Sequence, residues 1–278
     1  MEKKYEFTDE TLEHNGHILH RIKALRDFGD VKEGDLGGWV ESETNLSHEG
    51  NCWAYDEAKV YEKAMVSDDA ALSGEAEIYN VAQVHDQARV FDNAKVYGCS
   101  KVFDNARVFG EGEVFGGAWV YGWAWVFGWA WVFGDAKVCG RAKVLDKTRV
   151  CDNALVCEYA KVFGNAKVYG NAKVYGDAWV CEYAKVFGNA DITGYAIVKE
   201  MTDYMVFQNT WSSGRFFTWT RSNNMWRVGC FYGTGEELIK KAYEDSEEKG
   251  EYYKLYVELV EKDKEIHQKY AKIDTLAL

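Results

Sequence analysis

The chain has 278 residues, of which 47% are hydrophobic, and it carries a formal net charge of −12. That length suits one large domain or two modest ones, and the apolar content is that of a folded protein. A protein held on nucleic acid by phosphate contacts needs a basic face, so the acidic balance argues against a nucleic-acid partner.

Residues 1–50 are predicted to form a small N-terminal β cap, because segments such as GHILHRIKAL alternate in polarity. The chain opens with MEKKYEFTDETLEHNGH, which has no apolar run after its lysines, so we expect no signal peptide. The sequence has no stretch of 18 apolar residues, so we expect no membrane-spanning helix and no membrane partner. We therefore expect a cytoplasmic protein of a bacterial host cell, with its 7 cysteines reduced.

Residues 51–200 contain a repeat of six residues that runs from Ala58 to Val198 without an insertion. Its unit is Gly-x-Ala-x-Val-x, as VFGNAKVYGNAKVYGDAWV at 162–180 shows. The valine position departs from Val only at Leu72, Ile78 and Ile192. The position two after each valine is Gly, Asp or Asn, except at Glu62, Glu158 and Glu182.

This pattern has a geometric interpretation. Alanine and valine lie two residues apart, so in an extended strand they share one face, which suits a tightly packed interior. Gly, Asp and Asn tolerate a positive φ, which marks their position as a corner. A chain that turns equally at every corner winds into a coil that stacks on itself. A helix is excluded, since a six-residue period would place the apolar pairs all round it.

The Gly-x-Ala-x-Val-x unit resembles the hexapeptide repeat of the left-handed β-helix superfamily, best known from acyltransferases. The resemblance implies a single-stranded, all-β solenoid of about eight triangular coils, with three hexads in each coil. The family often places Gly directly after the aliphatic residue, whereas here an aromatic residue comes first. The regular GNAKVYG unit is most similar to uncharacterised repeat proteins of bacteria and their phages, as are the flanking segments 21–43 and 226–238.

Residues 201–278 are predicted to form a C-terminal α+β cap. Aromatic strand candidates surround the turn-like SNN at 222–224. Thr234 and Glu237 match a capping box that opens one helix, and a second helix is predicted after Gly250.

The acyltransferases of this superfamily would be expected to differ from this sequence in two respects. A catalytic histidine and a loop that interrupts the coils would be expected, whereas here the repeat is uninterrupted and has His85 as its one histidine. His14, His17 and His20 do not predict a zinc site, because they lie in a β segment where His17 and His20 face opposite sides. Cys139 and Cys157 are 18 residues apart and could come close. The favoured interpretation is that they are two apolar thiols that replace aromatic residues of the repeat. We therefore assign no catalytic, cofactor-binding or metal-binding residue.

The stretch GAWVYGWAWVFGWAWVFG at 117–134 breaks the surface pattern. Five tryptophans occupy outward positions that other coils fill with polar residues: Trp119, Trp123, Trp125, Trp129 and Trp131. They predict an aromatic belt on all three sides of one coil, which suits a protein contact, either in a dimer or trimer or with another protein. The alternative is that the belt packs under the chain's own C-terminal helices.

These features favour a non-enzymatic protein-binding function without a cofactor. The resemblance to phage proteins implies a concrete version, inhibition of a bacterial defence component. Two alternatives remain open at this point: a hexapeptide-repeat acyltransferase that uses His85, and a structural component of a virion or scaffold.

Overall fold

The computed structural model of the chain describes residues 2–276, with side chains as far as Tyr270. The chain forms two compact units, Met1–Met201 and Thr202–Leu278. The first contains the hexad repeat, and the second combines strands with two helices. Among the described residues, no helix is long and apolar enough to cross a membrane.

The first unit begins with a β-hairpin of β1 (Tyr5–His14) and β2 (His17–Ala24). Asn15 and Gly16 form its turn with φ angles of 52° and 84°, as two-residue hairpin turns require. Strand β2 pairs antiparallel with β3 (Leu36–Val40), and β3 pairs in parallel with the first strand of the repeat. The hairpin therefore covers the edge at which the solenoid begins.

Short strands of two residues follow at regular intervals. In chain order they are β4 Trp53–Ala54, β5 Lys59–Val60, β6 Met65–Val66, β7 Ala71–Leu72, β8 Glu77–Ile78, β9 Gln83–Val84, β10 Arg89–Val90, β11 Lys95–Val96, β12 Lys101–Val102, β13 Arg107–Val108, β14 Glu113–Val114, β15 Trp119–Val120, β16 Trp125–Val126, β17 Trp131–Val132, β18 Lys137–Val138, β19 Lys143–Val144, β20 Arg149–Val150, β21 Leu155–Val156, β22 Lys161–Val162, β23 Lys167–Val168, β24 Lys173–Val174, β25 Trp179–Val180, β26 Lys185–Val186, β27 Asp191–Ile192 and β28 Ile197–Val198. Every third strand pairs in parallel, which makes three sheets. Face 1 contains β3 and every third strand from β5 to β26. Face 2 contains every third strand from β6 to β27, and face 3 every third strand from β4 to β28.

The interior is made of the alanine and valine positions, as predicted. Val126 and Ala124, for example, are fully buried. Two polar residues take the alanine position and bond inside the coil. The Ser100 hydroxyl donates to a backbone carbonyl at 2.8 Å, and the Thr148 hydroxyl does so at 3.0 Å.

The corners have φ angles between 53° and 75° in every hexad, including Glu62, Glu158 and Glu182. Most acidic and amide side chains there accept a hydrogen bond from the backbone amide of the corner residue one coil further on. Asp152 Oδ2 accepts from Gly170 N at 2.9 Å, and Glu158 Oε2 accepts from Gly176 N at 2.9 Å. This ladder offsets the unfavourable backbone angle of the non-glycine corners.

The all-β solenoid is confirmed, and it has about nine turns rather than eight, since face 3 has 9 strands among the described residues. The extra coil begins inside the segment 1–50 and ends beyond it, at β4. Val40 pairs with Val60, Leu46 bridges Val66, and Ala54 pairs with Leu72. Two additional residues between Leu46 and Ala54 interrupt the six-residue period, so the periodicity of the sequence does not reveal this coil.

Aromatic side chains form ladders along the outside, one ring in each coil. On face 1, the rings from Tyr61 to Phe133 stack with centroids 4.8 to 5.1 Å apart. Phe91, Phe109 and Phe127 do the same on face 3 at 4.7 Å. The rows therefore have a structural role, as in-register aromatic pairs do in other sheets.

The second unit has a 3₁₀ turn (Met201–Asp203), a four-stranded antiparallel sheet and two helices. The strands are β29 Tyr204–Gln208, β30 Phe216–Thr220, β31 Met225–Val228 and β32 Phe231–Gly233, and the helices are α1 Gly235–Asp245 and α2 Glu247–Leu276. The predicted capping box of Thr234 and Glu237 is present. Helix α2 begins before Gly250, not after it, and the Tyr243 ring lies so close to Gly250 that a Cβ would be 2.2 Å from it.

Candidate functional site

His85 lies on face 2, in the outward position that follows the valine of each hexad. Its ring stacks on Phe103 with centroids 5.1 Å apart. Its Nδ1 is 2.9 Å from Oδ2 of Asp86, the corner residue that follows it. The side chain is partly exposed. His85 is therefore a member of the aromatic ladder on face 2. It is also an imidazole oriented by a carboxylate, which the sequence analysis missed although the two residues are adjacent.

Asp68 joins these two residues from the preceding coil. Its side chain and those of His85 and Asp86 each offer a ligand atom, and these atoms lie within 4.8 Å of one another. Both carboxylates, however, already accept backbone hydrogen bonds of the corner ladder. Asp68 accepts from Asp86 N at 3.4 Å, and Asp86 accepts from Asp104 N at 3.2 Å. The corner hydrogen bonds account for this arrangement without a metal ion.

A groove of about 620 Å³ lies on face 3, immediately past the corner at Asp86. Asp30, from the segment between β2 and β3, stands over the coils there and accepts a hydrogen bond from the Tyr55 hydroxyl. The other lining residues include Asn51, Gln87, Arg89 and Arg107. The groove thus forms where a segment outside the repeat meets the flat face of the solenoid.

The groove is lined by two guanidinium groups as well as by the carboxylates of Asp30 and Asp69. Arg89 and Arg107 occupy the same position in neighbouring coils and are register partners in face 3. Two guanidinium groups side by side suit a phosphate or carboxylate, which they can contact with paired N–H donors. Gln87, which also lines the groove, is two residues from His85.

The predicted tryptophan belt lies on one coil, but its members differ in environment. Trp119, Trp125 and Trp131 project from faces 2, 3 and 1, and Trp119 is 38% exposed while the other two are half-buried. Trp123 and Trp129 follow two corners and are 56% and 61% exposed. The third corner of that coil is followed by Asp135 instead. The belt is therefore most exposed at two edges of the prism.

The face tryptophans are covered by their own neighbours. Each contacts the edge of an aromatic ladder, and cations from adjacent coils lie over the rings. The cation-to-centroid distances are 5.7 and 4.9 Å from Lys101 and Lys137 to Trp119, 5.4 and 4.3 Å from Arg107 and Lys143 to Trp125, and 4.8 Å from Arg149 to Trp131. The prism therefore tolerates these rings by pairing them with basic side chains.

The N-terminal histidines do not converge on one point. His14 Nε2 is 3.1 Å from Glu77, His17 Nδ1 is 3.0 Å from Glu41, and the His20 ring stacks on Phe7. Each therefore has its own partner.

Two comparisons with known proteins bear on this architecture. The family model described as the YdcK beta solenoid repeat matches residues 166–182. An uncharacterised acetyltransferase, YdcK of Escherichia coli (strain K12), is 52% identical over 40 residues. The alignment covers 14% of this chain and 12% of that protein, so the chain matches about an eighth of the relative's length. Both findings fit a hexapeptide-repeat β-helix family, and this part of the predicted resemblance is confirmed.

The prediction of a non-enzymatic protein is wrong in the light of this relative. YdcK has the name of an acetyltransferase, so the comparison favours membership of an enzyme family. The prediction relied on the tryptophan belt and on the lack of both an interrupting loop and a catalytic histidine. The structure has a segment from outside the repeat over face 3, and His85 is paired with a carboxylate. Neither feature is visible in the periodicity of the repeat.

Proposed function

We propose that this chain is an acyltransferase of the hexapeptide-repeat type, with His85 as the general base. The observation that carries the proposal is the 2.9 Å contact between His85 Nδ1 and Asp86 Oδ2. A carboxylate that accepts from Nδ1–H fixes the ring and leaves Nε2 free to take a proton from a substrate. The acetyltransferase name of the Escherichia coli relative supports the same reaction class.

In the proposed reaction, a hydroxyl or amine of the acceptor gives its proton to His85 Nε2 and attacks the carbonyl carbon of an acyl thioester. The carbon–sulfur bond then breaks, and the imidazolium returns the proton to the leaving thiolate. Asp86 stabilises the imidazolium while it exists. Such positioned proton transfer contributes about 10²- to 10⁴-fold in enzymes.

The groove beside Arg89 and Arg107 is the proposed site for the anionic part of the thioester. Coenzyme A thioesters carry phosphate groups, and paired guanidinium groups suit phosphate oxygens. Asp30 and Tyr55 also line the groove and are hydrogen-bonded to each other, so the segment that follows β2 would act in place of an interrupting loop.

Isothermal titration calorimetry with acetyl-CoA tests this proposal. We expect the wild type to bind, and the double variant Arg89→Gln, Arg107→Gln to bind at least tenfold more weakly. Lys173→Gln is the matched control, because Lys173 occupies the equivalent position on face 2, away from the groove. Absence of acetyl-CoA binding to the wild type would contradict the proposal, and so would equal binding to all three proteins.

A second proposal is that the belt makes a protein contact, either between copies of this chain or with another protein. It is supported by the exposure of Trp123 and Trp129 and by a groove of about 480 Å³ beside Trp129 and Trp131. Large exposed aromatic side chains often supply most of the binding energy of an interface. The narrower hypotheses of a phage origin, inhibition of a host defence component or a virion scaffold stay predictions.

A further inference from the structure

Cys139 and Cys157 are neighbours on face 2, in successive coils. Their strands pair in register through Val138 and Val156, and Cys139 N donates to Val156 O at 2.9 Å. Strands paired in this way lie about 4.8 Å apart, which is within the Cα separation of roughly 4.4 to 6.8 Å that disulfides span. Both side chains are partly exposed, so solvent and small molecules can reach them.

The two sulfur atoms are not equivalent. A hydrogen bond from the Cys157 thiol, followed by one from the Tyr121 hydroxyl and the charge of Lys137, lowers the pKa of Cys139 to about 6. The same hydrogen bond, together with burial, raises the pKa of Cys157. The charged form is therefore favoured on Cys139 and the neutral thiol on Cys157.

Cys151 shows that the position in the hexad does not produce this effect. It occupies the same position on face 1, where Phe133 and Tyr169 are its neighbours in the adjacent coils. Burial raises the pKa of Cys151 instead. Cys139 differs from Cys151 in having a second thiol and a tyrosine hydroxyl, rather than two rings without such donors to it, as its neighbours in the adjacent coils.

We propose that Cys139 and Cys157 form a two-thiol site that reacts with small-molecule disulfides, with Cys139 as the nucleophile and Cys157 as the resolving thiol. Cys139 attacks one sulfur of the disulfide, which forms a mixed disulfide and releases one thiolate. Cys157 then attacks Cys139, and its proton goes to the second departing thiolate. Two cysteines are oxidised to one disulfide, and the small disulfide is reduced to two thiols.

This site is independent of the proposed acyl transfer. His85 lies three coils before Cys139 on the same face, roughly 14 Å away at the coil spacing. A loss of thiol reactivity therefore leaves the acyltransferase proposal unaffected, and the reverse is also true.

Site-resolved alkylation tests the nucleophile. The folded protein is treated with iodoacetamide between pH 5 and 9, and each cysteine is quantified by peptide mass spectrometry. We expect Cys139 to react at least tenfold faster than Cys151 at pH 7. In Cys157→Ala the reaction of Cys139 should move to higher pH, whereas Cys157→Ser should restore a donor and keep the midpoint low. Equal pH dependence of Cys139 and Cys151 in the wild type would overturn the proposal, and this comparison requires no variant.

Oxidised glutathione tests the resolving step. The wild type should form a Cys139–Cys157 disulfide, which non-reducing peptide mapping identifies. In Cys157→Ser, the mixed disulfide of Cys139 with glutathione should persist. A wild-type protein that accumulates the mixed disulfide, or that leaves both thiols unmodified while other exposed cysteines react, would contradict the assignment.

Discussion

Oδ2 of Asp86 lies 2.9 Å from Nδ1 of His85, and the same oxygen accepts the backbone amide of Asp104 at 3.2 Å. One carboxylate therefore orients the candidate base and maintains the corner of the solenoid. Its backbone has a φ of 58°, so the residue must also tolerate the left-handed region. Any variant that tests the catalytic role has to preserve the corner.

Asp86→Asn meets that condition. Asn80 occupies an equivalent corner with a φ of 59°, and its side chain accepts from Gly98 N at 3.2 Å. We expect Asp86→Asn to fold, but to lower the rate of acyl transfer by about 10²-fold, because a neutral amide does not stabilise the imidazolium. The measurement is the CoA produced from acetyl-CoA, separated by chromatography. Asp104→Asn is the control, since its preceding residue is Phe103, and equal rates in the two variants would refute the role of Asp86.

Lys4 is expected to stabilise the first coil although it is fully buried. Its Nζ donates to Cys52 O at 2.8 Å and to Gly50 O at 3.4 Å, and it is 3.2 Å from Cys52 Sγ. Lys4→Met keeps most of the side-chain volume but leaves buried carbonyl groups without this donor, at a cost of about 1 to 3 kcal/mol in the free energy of unfolding. Urea denaturation measures the loss. Lys3→Met is the control, since Lys3 is exposed and pairs with Glu43 at the surface. A similar small effect of both variants would contradict this account.

His17 should make the fold more stable at low pH. Its hydrogen bond to Glu41 raises the pKa of His17 above 6.5, with a further contribution from the charge of Glu62. The folded state therefore binds the proton more strongly than the unfolded chain. This stabilisation is fully present below about pH 6.5 and disappears as the pH rises through the folded pKa. We expect His17→Asn to lose more stability at pH 5.5 than at pH 8, measured by the urea midpoint.

His48 should act in the opposite direction. Burial lowers the pKa of His48, and its Nδ1 accepts a hydrogen bond from Lys4 N at 3.2 Å, which requires the unprotonated nitrogen. The wild type is therefore penalised as the pH falls below 6.5. When the pH is lowered from 8 to 5.5, the urea midpoint of His48→Gln should therefore rise relative to that of the wild type. The same pH trend for His17→Asn and His48→Gln would show that these assignments are wrong.

The belt should act through its corners rather than its faces. We expect the double variant Trp123→Lys, Trp129→Lys to abolish self-association or partner binding, because these rings are the most exposed. Trp179→Lys is the matched control: Trp179 projects from face 3 outside the belt, with Lys161 at 4.6 Å from its ring centroid. Analytical ultracentrifugation measures the assembly. Equal assembly of the double variant and the wild type would exclude the belt as a self-contact.

The solenoid is predictable because each position in the hexad has one steric requirement. Val126 must fit a closed interior, and Gly134 must adopt a φ of 70° close to the backbone of Asp152 in the next coil. The same demand recurs in every coil, so the period reveals strands, corners and outward rows together. The ladder from Tyr61 and the capping box at Thr234 are predictable for the same reason, since both depend on local spacing.

Features that depend on a single occurrence are not predictable in this way. The first coil differs from the repeat by two residues between Leu46 and Ala54, and no periodicity marks them. The position of Asp30 over face 3 depends on the path of the chain after β2. The contact between His85 and Asp86 depends on the side-chain rotamers of two residues, which the six-residue period does not determine.

The most direct test of acyl transfer at His85 is the amount of CoA that the protein produces from acetyl-CoA in the presence of mixed amine and hydroxyl acceptors. The wild type should produce CoA above the buffer rate. His20→Gln should do the same, because that histidine stacks on Phe7 in the N-terminal hairpin. His85→Gln should lower production by at least 10²-fold while the solenoid stays folded. No production by the wild type, or the same production by His85→Gln, would contradict the proposed function.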